Sequence, residues 1–198
     1  MEHYDIALFK WINGHHNIVT DWTLWTFSQA WSWGVLLAAV YVVLLASMKK
    51  NKMSLHPYWW LLLAGVALCF LFSDQISVHC FKNVFERYRP CHALEDVRMF
   101  RTTCGGRYGF VSSHAANSFS VAMFLGLSTR LLTKGALRKF SFPLLLLWAL
   151  LVGYSRPYLG KHYPGDVVCG ALLGIVVGAL VYWIAFSIAR RVSEKVEQ

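Results

Sequence analysis

The chain has 198 residues, a formal charge of +9 at neutral pH, and 57% apolar and 16% aromatic residues. Only 15% of its residues are charged and its mean hydropathy is +0.44, against roughly 25% charged residues in a soluble domain, which excludes an ordinary water-soluble enzyme. Its lysines and arginines fall in short segments between apolar runs, so lipid headgroups and membrane topology account for the charge and no nucleic-acid partner is expected.

The length fits one membrane-embedded domain over residues 1–198, without linker, repeat or low-complexity tract. The opening stretch MEHYDIALFKWINGHHNIV lacks the basic start, apolar run and small-residue cleavage site of a removable signal. Ile6, Phe9 and Ile12, with Trp11 nearby, recur at roughly helical spacing and predict an amphipathic helix on the membrane surface within residues 1–20. Five segments then qualify to cross a hydrocarbon layer of ~30 Å. The first follows Asp21 and reaches Lys49 with no Asp, Glu, Lys or Arg between them; the others cover about 57–81, 114–132, 140–160 and 166–189. None alternates with the period of a barrel strand, and lipid demands backbone groups satisfied within the segment. The predicted fold class is all-α: a polytopic membrane helix bundle of about five transmembrane helices over residues 21–189, with a tail at 190–198.

The connections alternate between two sides. Ten basic residues reach one side, including the runs KKNK and TKGALRK, and nine reach the other. The second group shares its segments with histidines, cysteines and turn residues, so chemistry rather than retention explains part of its charge. The plain basic runs are therefore placed in the cytoplasm, and the N-terminus and chemistry-bearing loops outside. Trp22, Trp25, Trp31 and Trp33 at the outer start of the first span, and Trp59 and Trp60 at the inner start of the second, read as interface anchors.

Three polar clusters sit on that outer side. KNVFERYRP carries Lys82 and Arg89, seven residues apart and so on one helix face if the helix continues. Pro90 biases Arg89 away from helical geometry. FVSSHAANS places Ser112 and Ser113 before His114 at a helix start, where a serine cap and free N–H groups suit an anion. YSRPYLGKHYPGD carries Arg156, His162 and Asp166 in a turn-rich segment. The 42 residues from His114 to Arg156 suffice for one helix inward, a turn and one helix back, so all three clusters return to the same surface. Lys82, Arg89 and Arg156 supply cations, Arg with a fork matched to phosphate oxygens. Two histidines are available to divide nucleophilic and acid roles, and Asp166 to hold one imidazole in its tautomer.

Lys82 with Arg89-Pro90, then Ser112-Ser113-His114, then Ser155-Arg156 followed by His162 and Asp166, resembles the three-part signature KxxxxxxRP, PSGH, SRxxxxxHxxxD of the type 2 phosphatidic acid phosphatase (PAP2) superfamily. The resemblance implies His162 as a nucleophile that forms a phosphohistidine, Asp166 as its orienting partner and His114 as proton donor to the leaving group. It implies Lys82, Arg89, Ser112, Ser113 and Arg156 as the phosphate cradle, with no metal and no cofactor. Two positions depart from it: Val111 stands where Pro is usual, and Ser113 where Gly is usual.

Taken singly, His162 reads as a surface histidine, His114 as a helix end, and Lys82 and Arg89 as snorkelling cations; their joint spacing is what favours a site. His15, His16, His56, His79 and His92 show no metal-ligand spacing. Asp74 lies two turns below Lys82 and is expected either to bond to Ser77 or another helix or to orient Lys82. Cys69 and Cys169 read as packing residues, while Cys91 and Cys104 flank the outer loop and are expected to pair in an oxidising compartment.

The function expected from this reading is hydrolysis of a lipid phosphomonoester or diphosphate at the outer face of a bacterial inner membrane, with undecaprenyl diphosphate or a lipid A phosphate as substrate. Phosphatidic acid and phosphatidylglycerol phosphate are alternative substrates. The alternative from another class is a non-enzymatic phospholipid binder or flippase. Beyond the lipid phosphate and the bilayer, the sequence names no partner.

Overall fold

A computed structural model describes residues 2–50 and 58–196, almost wholly as helix. Helix α1 (Glu2–Gly14) falls within the stretch expected to form a surface helix, and its apolar residues divide between two faces. Phe9 and Ile12 turn inward and are buried, while Tyr4, Leu8 and Trp11 stay exposed.

The single first span expected from residue 21 is instead two helices, α2 (Ile18–Ser28) and α3 (Ala30–Lys50). Asn17 caps α2 through a capping box with Thr20, and the chain breaks at Gln29, whose backbone is extended. Side chains around the break compete for its carbonyls: Ser28 and Gln29 donate to Trp25 O, and Ser32 to Gln29 O. Asp21 is held away from lipid by the Arg98 fork, at 2.9 and 2.6 Å, and by Tyr158 Oη at 2.7 Å. The span is α3 alone.

Helix α4 (Tyr58–Ile76) runs on through a π-helical turn (Ser77–Lys82) into the short α5 (Asn83–Phe85). The expected start of this span near residue 57, with Lys52 and His56, lies outside the described residues, as do the side chain of Trp59 and those of Arg191 and Lys195. The short α6 (Pro90–Ala93) opens the outer loop, followed by α7 (Ser113–Leu132), α8 (Gly135–Tyr158) and α9 (Pro164–Val196). The backbone of α9 continues helical beyond Ala189 to Val196, so most of the expected tail extends the last helix.

Among the described residues, four helical stretches are long and apolar enough to cross a membrane: Ala30–Lys50, Trp60–Phe85, Gly135–Tyr158 and Pro164–Arg190. The remaining expected span, the third in chain order and here α7, is too polar to stand with them because it faces protein rather than lipid. It packs against α4, α8 and α9, and its hydroxyls donate to carbonyls one turn back, as Ser120 to Asn117 O at 2.9 Å and Ser128 to Phe124 O at 2.7 Å. Gly170, Gly174 and Gly178 of α9 meet Ser112, Ala116 and Ser120 of α7 so closely that a Cβ on any of the three would strike backbone. This small-residue seam is the packing that membrane helices use in place of a hydrophobic drive, and it brings the starts of α7 and α9 together.

Candidate active site

The first cluster is shaped by the π turn. Its i→i+5 bonding is a local feature often found at functional sites, and here Ser77 and Lys82, five residues apart, meet one partner. Ser113 Oγ lies 2.7 Å from Ser77 Oγ and accepts from Lys82 Nζ. The serine that replaces the family's glycine therefore engages the cation that would touch phosphate. Ser77 also donates to the backbone carbonyl of Asp74 at 2.8 Å, not to its carboxylate, and the Asp74 charge lies within electrostatic reach of Lys82.

Lys82 and Arg89 do not share a continuous helix. The helix ends at Phe85, and Glu86 turns the chain with a left-handed φ of 46°. Arg89 is delivered instead by an antiparallel pairing: its N–H donates to Arg107 O at 3.1 Å, and Gly109 N–H to Arg87 O at 2.7 Å. The Cys91–Cys104 disulfide closes the loop between these arms, with Cα atoms 5.8 Å apart.

In the second cluster, Ser112 is fully buried as the cap of α7, and its N–H donates to Asp166 O at 3.0 Å. His114 meets the ring of Trp33 edge-on at 5.7 Å. Trp33 is buried against this histidine and Trp148, not held at the interface as its position in the sequence suggests.

The third cluster is set by the end of α8. Gly160 N–H donates to Pro157 O and Lys161 N–H to Arg156 O, the paired bonds of a Schellman cap. Gly160 has φ +79°, and a Cβ there would also strike Val97 and the Arg98 carbonyl, so glycine is required on both counts. The cap fixes the path from Arg156 to His162. Asp166 then enters in the first turn of α9.

These elements bring the predicted residues together. Arg89 NH1 lies 2.7 Å from His162 Nε2. A guanidinium only donates, so Nε2 carries the lone pair and the ring proton sits on Nδ1. That Nδ1 finds no hydrogen-bond partner, although Asp166 Oδ2 stands 3.5 Å away. Asp166, expected to hold His162, is thus adjacent but not bonded to it. Its Oδ2 accepts from Tyr163 N–H at 3.0 Å and its Oδ1 from Arg87 at 2.7 Å. Arg156 is 2% exposed and its Nε is likewise unpartnered. Buried orphan donors are uncommon in proteins; His162 Nδ1 has the Asp166 carboxylate beside it, and Arg156 Nε is left to donate to an acceptor oxygen such as an anion would bring.

The electrostatics agree. Burial first, then the charges of Arg89, Arg156 and Lys82, push the His162 imidazole well below 6.5, which keeps it neutral. Burial with Arg156 and Arg89 lowers the Lys161 ammonium to about 8. His114 lies in the field of Arg156, His162, Lys161 and Arg89.

Three residues of this site escape a motif reading. Lys161 sits between Arg156 and His162. Arg87 is an extra arginine within the first motif. Gly109 carries no signal in sequence, yet a Cβ there would lie 3.1 Å from Asp166 Oδ2 and 3.5 Å from His162 Nδ1.

The family model of the PAP2 superfamily matches residues 57–190, which hold all three clusters. The chain belongs to the PAP2 superfamily. Lipid A 4'-phosphatases of Porphyromonas gingivalis and Bacteroides thetaiotaomicron are each 32% identical to it, over 88% and 94% of this chain and 70% and 79% of their own. The solved transmembrane PAP2 type phosphatidylglycerolphosphate phosphatase from Bacillus subtilis is 19% identical, with a TM-score of 0.70 over 94% of this chain and 87% of that one; it supports the fold. This PAP2 protein is an integral membrane hydrolase of lipid phosphates.

Proposed function

We propose that this PAP2 enzyme removes a phosphate from an envelope lipid, a lipid A phosphate above all, at the periplasmic face of the inner membrane through a phosphohistidine at His162. The observation that carries the reading is the Arg89–His162 contact, because it leaves Nε2 unprotonated inside a ring of cations. A phosphate oxygen takes over the Arg89 donor, and Nε2 attacks phosphorus as the phosphorus–oxygen bond to the lipid breaks. Lys82, Arg89 and Arg156 offset the charge on the transferring oxygens. His114, which takes up a proton from solvent as the phosphate's negative charge enters, gives it to the departing oxygen, then takes one from the water that cleaves the phosphorus–nitrogen bond. Asp166 faces the Nδ1 proton and stabilises the ring as positive charge develops. Ser112 caps α7 and Ser113 holds Lys82, so both serve the cradle through its geometry.

Likeness to two lipid A 4'-phosphatases supports a lipid A phosphate as substrate, and the Cys91–Cys104 bridge supports an oxidising compartment on the side of the site. Phosphate release from purified protein is measured on bis-phosphorylated lipid A, undecaprenyl diphosphate, phosphatidic acid and phosphatidylglycerol phosphate, with and without vanadate. Lipid A is expected to be turned over fastest and vanadate to inhibit. Preferred turnover of another lipid overturns the substrate, and His162→Ala at the wild-type rate overturns the nucleophile. Binding without release would favour a lipid carrier.

A further inference from the structure

Arg87 has no place in the three-part signature, yet it is the residue that grips Asp166. Its NH1 donates to Asp166 Oδ1 and its NH2 to Asp5 Oδ2, each at 2.7 Å. Its guanidinium lies over the Tyr163 ring, 4.2 Å from the centroid. Asp166 is fully buried, while Arg87 and Asp5 are one quarter exposed or less. Asp5 is built into the site from a second direction: its Oδ1 accepts from Gly165 N–H at 2.7 Å, one residue before Asp166.

Asp5 belongs to α1, and it is the first of a stripe at i, i+4 and i+8. Phe9 meets the Tyr163 ring edge-on at 5.5 Å. Asn13 donates to the carbonyls of Arg98 and Tyr158, both at 2.9 Å. The other face of the same helix exposes Tyr4, Leu8 and Trp11, residues suited to the bilayer interface.

We propose that Arg87 and Asp5 are positioning residues for phosphoryl transfer, and that through them the N-terminal surface helix controls the aim of Asp166. This rests on the reading of His162 as nucleophile and Asp166 as its partner. A guanidinium fork is able to grip both oxygens of one carboxylate. Asp5 occupies one arm, so Arg87 holds Asp166 by Oδ1 alone and Oδ2 stays turned to His162 Nδ1. Without Asp5 the freed arm closes on Oδ2 and draws it from the histidine. Without Arg87 the buried carboxylate loses its counter-charge and its anchor. Lifting α1 from the membrane surface acts as loss of Asp5 does.

The test uses the full chain in lipid vesicles and the lipid phosphate that the wild type turns over fastest in the panel above. Asp5→Asn and Arg87→Lys are each expected to lower kcat about tenfold, with KM within twofold and thermal stability near wild type. Asp5→Glu is expected to recover most of the rate. The acid limb of kcat/KM is expected to move down in Asp5→Asn, where an anion is lost from the ion-pair chain that ends at Asp166, and up in Arg87→Gln, where the cation of that chain is lost. A salt bridge that only holds the fold together gives neither the opposed shifts nor the rescue. If His162→Ala is inactive while Asp5→Asn and Arg87→Lys keep the wild-type kcat and pH profile, this inference fails and the nucleophile stands. Wild-type turnover by His162→Ala removes the reading beneath it.

Discussion

Arg89 NH1 lies 2.7 Å from His162 Nε2, the nitrogen proposed to attack phosphorus. The same contact orients the proposed nucleophile and covers it. Arg89 is kept on station by three further bonds, from Nε to Gly106 O, from NH1 to Lys161 O and from its backbone N–H to Arg107 O. A phosphate oxygen is a stronger acceptor for a guanidinium than a neutral imidazole, so in the proposed mechanism substrate exposes the lone pair as it binds. Arg89→Ala is expected to lower kcat by about 10²–10³, the usual effect of removing a donor to developing charge. Steady-state phosphate release checks this, and a loss confined to KM would contradict it.

The pH dependence follows from the direction in which His162 is pushed. Its folded value lies well below 6.5 because of burial and then Arg89, Arg156 and Lys82. Between the two values the unfolded chain binds a proton that the folded chain does not. The stabilising contribution of neutral His162 is therefore fully present above about pH 6.5 and falls away as pH drops toward the folded value. Activity is expected to keep kcat/KM level through neutral pH, with its acid limb below 6.5. At the alkaline end Lys161, lowered to about 8, loses its charge, and kcat/KM is expected to decline above that pH. In Lys161→Arg the alkaline limb is expected to move up. A pH series of kcat/KM on both proteins reads each limb.

Gly109 separates Asp166 from the rest of the loop. A Cβ there would sit 3.1 Å from Asp166 Oδ2, 3.2 Å from Arg89 Cγ and 3.5 Å from His162 Nδ1, three groups of the site at once. Gly109→Ala is expected to cost about 1–3 kcal/mol of stability, as overpacking does, and to lower kcat about 10²-fold, since small misplacements of reacting groups have effects of that size. Thermal melts and turnover measured together separate the two effects. Activity at the wild-type level would show that the loop gives way freely.

Ser113 tests what a departure from the family pattern does. Its hydroxyl is shared between Ser77 and Lys82, so Ser113→Ala removes one hydrogen bond from the cation rather than a phosphate ligand. The expected loss in kcat/KM is about fivefold, matching about 1 kcal/mol for one such bond. Ser77→Ala is expected to act through the same hydroxyl, and the double variant to lose less than the two effects combined. Full additivity in that cycle would place Ser113 in direct contact with substrate.

Much of the molecule was legible as a string. Apolar length marked the spans, and the count of crossings brought Lys82, His114, Arg156 and His162 to one surface, because helix rise and membrane thickness are fixed quantities. The cysteines at 91 and 104 were expected to pair, and they do. Strictly local patterns left two points open to packing: the helix carrying Lys82 stops before Arg89, and the first span begins at Ala30, after a break at Gln29 where side chains claim backbone carbonyls. The polarity of α7 marks it as protein-facing only once its neighbours are in place.

The sequence by itself determined the membrane class, the family and the residue types at the site. Tertiary structure alone decided which atoms meet. Arg87 joins Asp166 and Asp5 across 79 and 82 positions of chain, and Asp5 reaches Gly165 across 160. No periodicity encodes such pairings, since they depend on how surface helix, hairpin-like loop and helix start dock on one another. Helical spacing is a property of neighbouring residues, whereas the aim of a buried carboxylate is set by whichever distant donors the packing delivers to it.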